Sequence, residues 1–295
     1  MKAKLTFLGT GTSSGVPMVG CDCKVCRSAD PKDSRLRASA YVEYGALSIL
    51  VDCGPDFRQQ ALRAGIRHLD AILLTHNHMD HTGGLDDTRA LNLCEGHPVN
   101  IYCEPYVRKS LENTYAYAFA QPRYPGSPEW HVHEIGNTPF QVKSNDAEEL
   151  IWWKSGVGYQ HKPAPEGVIA KSVEIVPIQG WHIKDKSISV LGYRFGNIAY
   201  LTDMSLLEDD QLDKLQGLDA VTLNCVKPGT HRSHFSLQEA LDLYRHLKGI
   251  ADRDKGQNSR LVLVILLPHG RNNLGRSVLR VFLVLKRPAQ ITPKP

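Results

Sequence analysis

Short apolar runs broken by polar turns fill the first half of the chain. Leu5–Leu8 predicts a strand that opens into a Gly/Ser/Thr loop, Gly9–Gly15. Ser39–Tyr44 and Leu47–Val51 carry β-branched and aromatic residues at strand spacing and predict a hairpin around Gly45. Phe57–Ala64 predicts a helix that stops at Gly65. Ala71–Thr75 and Val99–Cys103 predict buried strands, and Tyr106–Ala118 predicts a helix. From about Gln121 to Gly167 the pattern loses its period and prolines recur. That stretch predicts an irregular insertion or lid, with Trp130, Trp152 and Trp153 as surface anchors and pocket lining as the alternative. Strands resume at Val173–Pro177, Ser189–Phe195 and Ile198–Leu201. Leu237–Leu247 predicts a helix, with Ser236 as N-cap and Glu239 three residues on. Strands outnumber helices, and the helices fall between strand groups. The expected fold is α/β, with sheets inside and helices outside.

Composition narrows the classes. The chain has 295 residues, 42% hydrophobic and 22% charged. It can therefore bury a large core, which excludes a disordered chain, a fibre and a coiled coil. The apolar runs Leu261–Leu267 and Val278–Leu285 fall short of the roughly 18–20 residues a bilayer span needs, so no membrane partner is expected. The apolar run near the start breaks at Gly9, too early for a signal peptide. Seven cysteines, an odd number, predict a reducing compartment, most simply the cytoplasm. No Asp or Glu follows Asp254, while residues 255–295 hold eight Lys/Arg; upstream, 27 basic groups face 31 acidic ones. The body is mildly acidic and only the tail is basic, so a nucleic-acid footprint is not expected.

The densest chemistry is Thr75-His76-Asn77-His78-Met79-Asp80-His81, straight after the strand at Ala71–Leu74. Four metal ligands fall within six residues, and Gly83-Gly84 lets the chain turn sharply afterwards. His76 and His78 can converge on one cation, with Asp80 and His81 facing a second. Imidazole and carboxylate suit zinc, manganese or iron at a hydrolytic centre. Cys21, Cys23 and Cys26 read as a second metal site before a disulfide, three thiolates of a four-ligand zinc. The glycine loop echoes a dinucleotide-binding turn, but no acidic residue follows at the required spacing. His131 and His133 predict an exposed strand. His68, His97, His161 and His246 are expected on the surface, and Cys53, Cys94, Cys103 and Cys225 as small core residues.

The His-x-His-x-Asp-His run resembles the signature of the metallo-β-lactamase superfamily. The resemblance implies a four-layer αββα sandwich with a one- or two-metal site at the sheet edge. It implies His182 as the third histidine of the first metal, Asp203 as the bridge between two metals, and His234 as a proton donor beside the substrate. Within that superfamily, Phe7-Leu8-Gly9-Thr10-Gly11-Thr12-Ser13-Ser14-Gly15-Val16-Pro17 and Cys21-Asp22-Cys23-Lys24-Val25-Cys26 resemble the PhnP-like cyclic phosphodiesterases. Arg35–Ser39, Gly84–Asp87 and Leu191–Arg194 add to the likeness, which covers roughly residues 4–248. It implies a structural zinc on Cys21, Cys23 and Cys26. A late Thr-His-x-Ser-His element would complete both that zinc and the second catalytic metal.

The chain departs from this pattern near its end. Arg260–Leu267 leads into Pro268-His269-Gly270, and His269 is the only histidine after His246. It is placed to serve the second metal but cannot also complete the cysteine site. Thr230-His231-Arg232-Ser233-His234 has the right letters one helix too early. The expected division is a hydrolase domain over 1–248 and an atypical basic segment over 249–295, for which a shifted reading frame is one explanation.

The resemblance implies two divalent cations (zinc or manganese) in the active site, besides the structural zinc. His76, His78 and His182 would hold the first; Asp80, His81 and His269 the second; Asp203 would bridge them. Two such ions roughly 3.5–4 Å apart activate water and neutralise phosphate oxygens. The expected reaction is hydrolysis of a small phosphodiester such as 5-phosphoribosyl 1,2-cyclic phosphate. Asp80 and His234 would be the catalytic side chains, and Arg37 or Arg89 would hold a second phosphate. The partner is then a small phosphorylated substrate, and a homodimer stays open. The alternatives are ribonuclease Z-like RNA processing and a metal-binding scaffold that has lost catalysis with its last ligands.

Overall fold

The computed structural model describes residues 2–145, 148–155, 157–227, 229–255, 262–266 and 282–283. Two sheets form the middle. The first runs β1 (Ala3–Gly9), β2 (Ser39–Tyr44), β3 (Leu47–Val51), β4 (Ala71–Leu73), β5 (Val99–Cys103) and β6 (Trp130–Glu134), side by side in chain order. Its first three strands are antiparallel, and β3 to β6 are parallel. The second sheet is built from β7 (Phe140–Lys143), β10 (Ser172–Trp181), β11 (Ser189–Phe195), β12 (Ile198–Tyr200), β13 (Leu206–Leu207), β14 (Ala220–Asn224), β15 (Val262–Leu266) and β16 (Phe282–Leu283). The strands β8 (Leu150–Lys154) and β9 (Gly158–Lys162) pair separately.

Strand alternation builds the layers. In β3, Ile49 and Val51 point to one face and Leu50 to the other, as a period of two demands. The inward face packs Val42, Ile49, Val51 and Leu73 against Ile175, Leu191, Tyr193 and Tyr200 of the second sheet. The outward face buries Leu50, Ile72, Leu74 and Ile101 under α1 (Phe57–Ala64) and α4 (Pro105–Thr114), through Phe57, Val107 and Leu111. On the far side, Val221 and Leu223 of β14 lie under Ala240, Tyr244 and Leu247 of α6 (Leu237–Lys255). The result is helix, sheet, sheet, helix, the four-layer order expected. Truncating a fully buried leucine such as Leu50 to Ala costs about 2–5 kcal/mol.

Local signals hold where chemistry is local. α1 ends at Gly65, whose φ of 68° lets its N–H reach back to Ala61 and Leu62. Ser236 and Glu239 bond reciprocally at the start of α6, at 3.2 and 2.7 Å, as a capping box. The helix expected at Tyr106–Ala118 is two pieces, α4 and α5 (Ala116–Phe119), with Pro105 at the first helical position.

Three features differ more. The stretch 121–167 contains ordered strands: β6 and β7 each extend a main sheet. The β8–β9 hairpin docks where the Ile151 N–H meets the Gly96 carbonyl at 2.7 Å. β14 falls where the sequence predicts no element. α6 runs past position 249 to Lys255, and β15 pairs in parallel with β14, from Ala220–Val262 to Asn224–Leu266. His269 lies outside the described residues. Among the described residues no helix is long and apolar enough to cross a membrane.

Candidate metal centre

The site lies where strands of both sheets end. β4 releases the chain into His76, and α2 (Met79–Thr82) presents Asp80 and His81. Close backbone contact fixes this loop. Cys53 donates its N–H to the His81 carbonyl at 2.8 Å, and Gly84 donates to the Cys53 carbonyl at 2.8 Å. A Cβ on Gly54 would sit 2.0 Å from the Asp80 carbonyl oxygen, and one on Gly84 2.0 Å from that of Gly54. Only glycine permits that approach at either position.

The second sheet supplies the opposite wall. His182 follows β10, Asp203 follows β12, and His234 precedes α6. One ligand atom each from His76, His78 and His182 lie within 4.8 Å of one another, and the same holds for His182, Asp203 and His234. His76 Nε2 is 3.0 Å from His78 Nδ1. His81 Nε2 is 3.0 Å from Asp203 Oδ2 and 3.4 Å from Asp80 Oδ2. Residues separated by more than 120 positions thus share one floor.

Outer partners aim these groups. His182 donates its Nδ1–H to the Asp203 backbone carbonyl at 2.6 Å, which leaves Nε2 with a free lone pair. His81 donates Nδ1–H to Asp52 Oδ2 at 2.7 Å, and Asp52 also accepts from the Thr75 N–H and hydroxyl, at 2.9 and 3.0 Å. Asp52 is fully buried, and the sequence reading missed it. An acid at the end of an apolar strand, two positions before Gly54, is a weak signal that gains meaning only once the His81 ring lies beside it.

The electrostatics suit a cation. Burial first, then the neighbouring imidazoles, lower the pKa of His76 and His78, so both are neutral and able to ligate. Burial alone would raise the Asp203 carboxyl, but His81, then His234 and His76, hold it well below the usual carboxylate range. Burial likewise disfavours a charged His81, yet Asp52 and Asp203 outweigh it and raise its pKa. That proton would leave as a cation binds. Neutral imidazoles, ionised carboxylates and fixed tautomers fit divalent zinc or manganese.

Above the floor opens a small cleft, walled by Thr10, Thr12, Ser13, Asp80, Asp203 and His234 among others. His234 lines it beside Asp203, its pKa lowered to about 4, first by burial. The arginines expected to hold a second phosphate are not on this wall. Arg37 donates to Asp56 at 2.9 Å and to the Ser13 carbonyl at 2.8 Å, so it braces the 10–15 loop. Arg89 is half-exposed beside Asp86 on the first turn of α3 (Arg89–Glu95).

The thiols of Cys21, Cys23 and Cys26 converge within 4.8 Å as free cysteines. The Cys26 N–H donates to Cys23 Sγ at 3.4 Å and lowers the Cys23 thiol pKa. Cys53, Cys103 and Cys225 are buried as expected, but Cys94 is exposed on α3. His131 and His133 are half-buried rather than exposed: His131 lies between Glu148 and Glu149, and His133 stacks on Tyr102. Trp130 bonds Thr88, while Trp152 and Trp153 are exposed on β8.

The fold and floor define a hydrolase scaffold whose clustered side chains could hold metal ions. Residues 48–255 match the β-lactamase superfamily domain, so the chain belongs to that superfamily and carries the metallo-β-lactamase fold. It is similar to a diphosphatase from the PhnP family, at 31% identity and a TM-score of 0.69, covering 91% of this chain and 88% of that one. It is 37% identical over 239 residues to the octanoyltransferase of Porphyromonas gingivalis, which is 80% of this chain but 42% of that protein. The chain spans about two fifths of the length of the first curated relatives it matches. Zinc-bound PqqB from Methylobacterium extorquens shares the fold, with a TM-score of 0.56 at 18% identity over 90% of this chain and 88% of that one.

Proposed function

We propose that the protein is a metal-dependent phosphodiesterase acting on a small phosphorylated ester, for which 5-phosphoribosyl 1,2-cyclic phosphate is the best representative. The observation that carries this reading is the gathering of His76, His78, Asp80, His81, His182 and Asp203 on one floor, faced by His234. His76, His78 and His182 would hold one cation, Asp80 and His81 another, with Asp203 reaching both. Bound divalent cations would supply Lewis-acid polarisation of a phosphoryl oxygen and an activated water at neutral pH.

The rest follows from the chain. Asp52 and the Asp203 carbonyl hold His81 and His182 in their ligating tautomers. The hydroxyl-bearing wall at Thr10, Thr12 and Ser13 offers donors to phosphoryl oxygens and carries no acid to repel them. His234, beside Asp203 in the cleft, donates a ring N–H toward the leaving oxygen. The likeness to a PhnP-family diphosphatase supports a phosphoryl substrate. Cys21, Cys23 and Cys26 would hold a separate structural zinc, and three reduced thiols fit a cytoplasmic setting.

The test is a substrate panel on zinc- or manganese-loaded protein: a five-membered cyclic sugar phosphate, a diphosphate diester and a precursor tRNA. Turnover of the cyclic ester well above the others is expected. Cleavage of the tRNA alone, or of nothing, overturns the reading.

A further inference from the structure

One lip of the cleft is basic. Asn224 and Val226, at the end of β14, line the cleft, and so does His234. The chain between them closes on its own stem. Val226 donates its N–H to the Phe235 carbonyl at 3.3 Å, and Leu237 donates to the Lys227 carbonyl at 3.1 Å. Two exposed cations stand on this loop beside lining residues: Lys227 follows Val226, and Arg232 comes two positions before His234. His231 ties them to the site. Its ring centroid is 5.0 Å from that of His234, and its Nδ1 accepts the Ser233 N–H at 3.2 Å. Burial first, then the Lys227 charge, lowers its pKa, so the ammonium acts on the ring packed against His234.

Neighbouring cations are neutralised and these two are not. Lys184 pairs with Glu239 at 2.6 Å, and Lys186 with Glu208. Arg37 and Arg89, expected from the sequence to hold a second phosphate, face Asp56 and Asp86 instead. Lys227 and Arg232 form no ion pair among the described residues. Asp185 senses the Arg232 charge, but its carboxylate accepts the Ser187 N–H at 3.0 Å, and the Ser187 bonds lower its pKa first. We propose that Lys227 and Arg232 hold a second phosphate of the substrate, a phosphomonoester remote from the scissile diester, and so select doubly phosphorylated esters. A phosphomonoester carries up to two negative charges near neutral pH, which matches two unpaired cations on one lip. This selection rests on the phosphodiesterase reading; the affinity of the lip for the second phosphate does not.

The test compares two esters that are identical at the scissile group, 5-phosphoribosyl 1,2-cyclic phosphate and ribose 1,2-cyclic phosphate, on zinc-loaded protein at low salt. The wild type should favour the first by about tenfold in kcat/KM, through KM rather than kcat. Lys227→Ala and Arg232→Ala should each cut that preference about 2–5-fold, and the double variant should remove most of it. Turnover of the ester without the 5-phosphate should stay unchanged, as should both activities in Lys184→Ala. Salt at about 0.5 M should erase the preference, because exposed charges are screened. A preference that the double variant keeps overturns the proposal. A wild type that hydrolyses neither ester sinks the phosphodiesterase reading, and binding then decides the lip. By calorimetry, ribose 1,5-bisphosphate should bind more tightly than ribose 1-phosphate, by a margin that shrinks in the double variant. No margin, or one that the double variant keeps, overturns the proposal.

Discussion

Two imidazoles at the centre are steered by groups behind them: His81 by Asp52 and His182 by the Asp203 carbonyl. Partners of this kind typically carry 10–100-fold in metal affinity. Asp52→Asn keeps the shape but removes the charge opposite His81. We expect it to weaken the second cation by about that factor while the far-ultraviolet spectrum stays unchanged; titration against a chromogenic chelator measures it, and wild-type affinity would contradict it. The ligands in the 76–81 run were legible because they are local: a strand end and a tight loop force them together. Asp52 was not. It is an ordinary polar residue at the end of an apolar strand, and its meaning appears only when the His81 ring arrives beside it.

Elements with their own start and stop chemistry could be read from the chain. The β2–β3 hairpin turns at Gly45 and Ala46, both at positive φ, as tight antiparallel strands require. The β8–β9 hairpin and β14 were missed because each is short and lacks a distinctive period, so packing on neighbours decides them. One loop between elements gives a pH-dependent prediction. His68, between α1 and β4, bonds Asp70 at 3.2 Å and Glu95 at 2.6 Å. Those bonds, Asp70 first, raise its pKa from 6.5 to about 10. The folded value lies above the unfolded one, so the stabilisation is complete below about pH 6.5 and fades as pH rises toward 10. The side chain is 44% exposed, and solvent screening limits the effect to about 1 kcal/mol or less. Thermal melts should show His68→Ala less stable than wild type at pH 6, with the gap closing by pH 10. A gap that is equal at both values would contradict this account.

At the scale of the whole molecule, the layered order was legible from alternation and from helices falling between strand groups. The floor of the site was legible only in its first loop, because His182, Asp203 and His234 each look ordinary alone. With the proposed structural zinc on Cys21, Cys23 and Cys26, that loop would bear on stability rather than turnover. Cys23→Ser is expected to remove one equivalent of zinc and lower the melting temperature while diester turnover per folded molecule is kept; elemental analysis beside a thermal scan reads both, and an unchanged zinc content would contradict the assignment. The central claim is that one cation-holding floor performs the hydrolysis, and its most direct test is diester turnover followed through metal removal. Stripping the protein with a chelator should abolish hydrolysis of bis(4-nitrophenyl) phosphate, and added zinc or manganese should restore it in the wild type but not in Asp203→Ala. Hydrolysis that survives complete metal removal, or that returns in the Asp203 variant, would contradict the account.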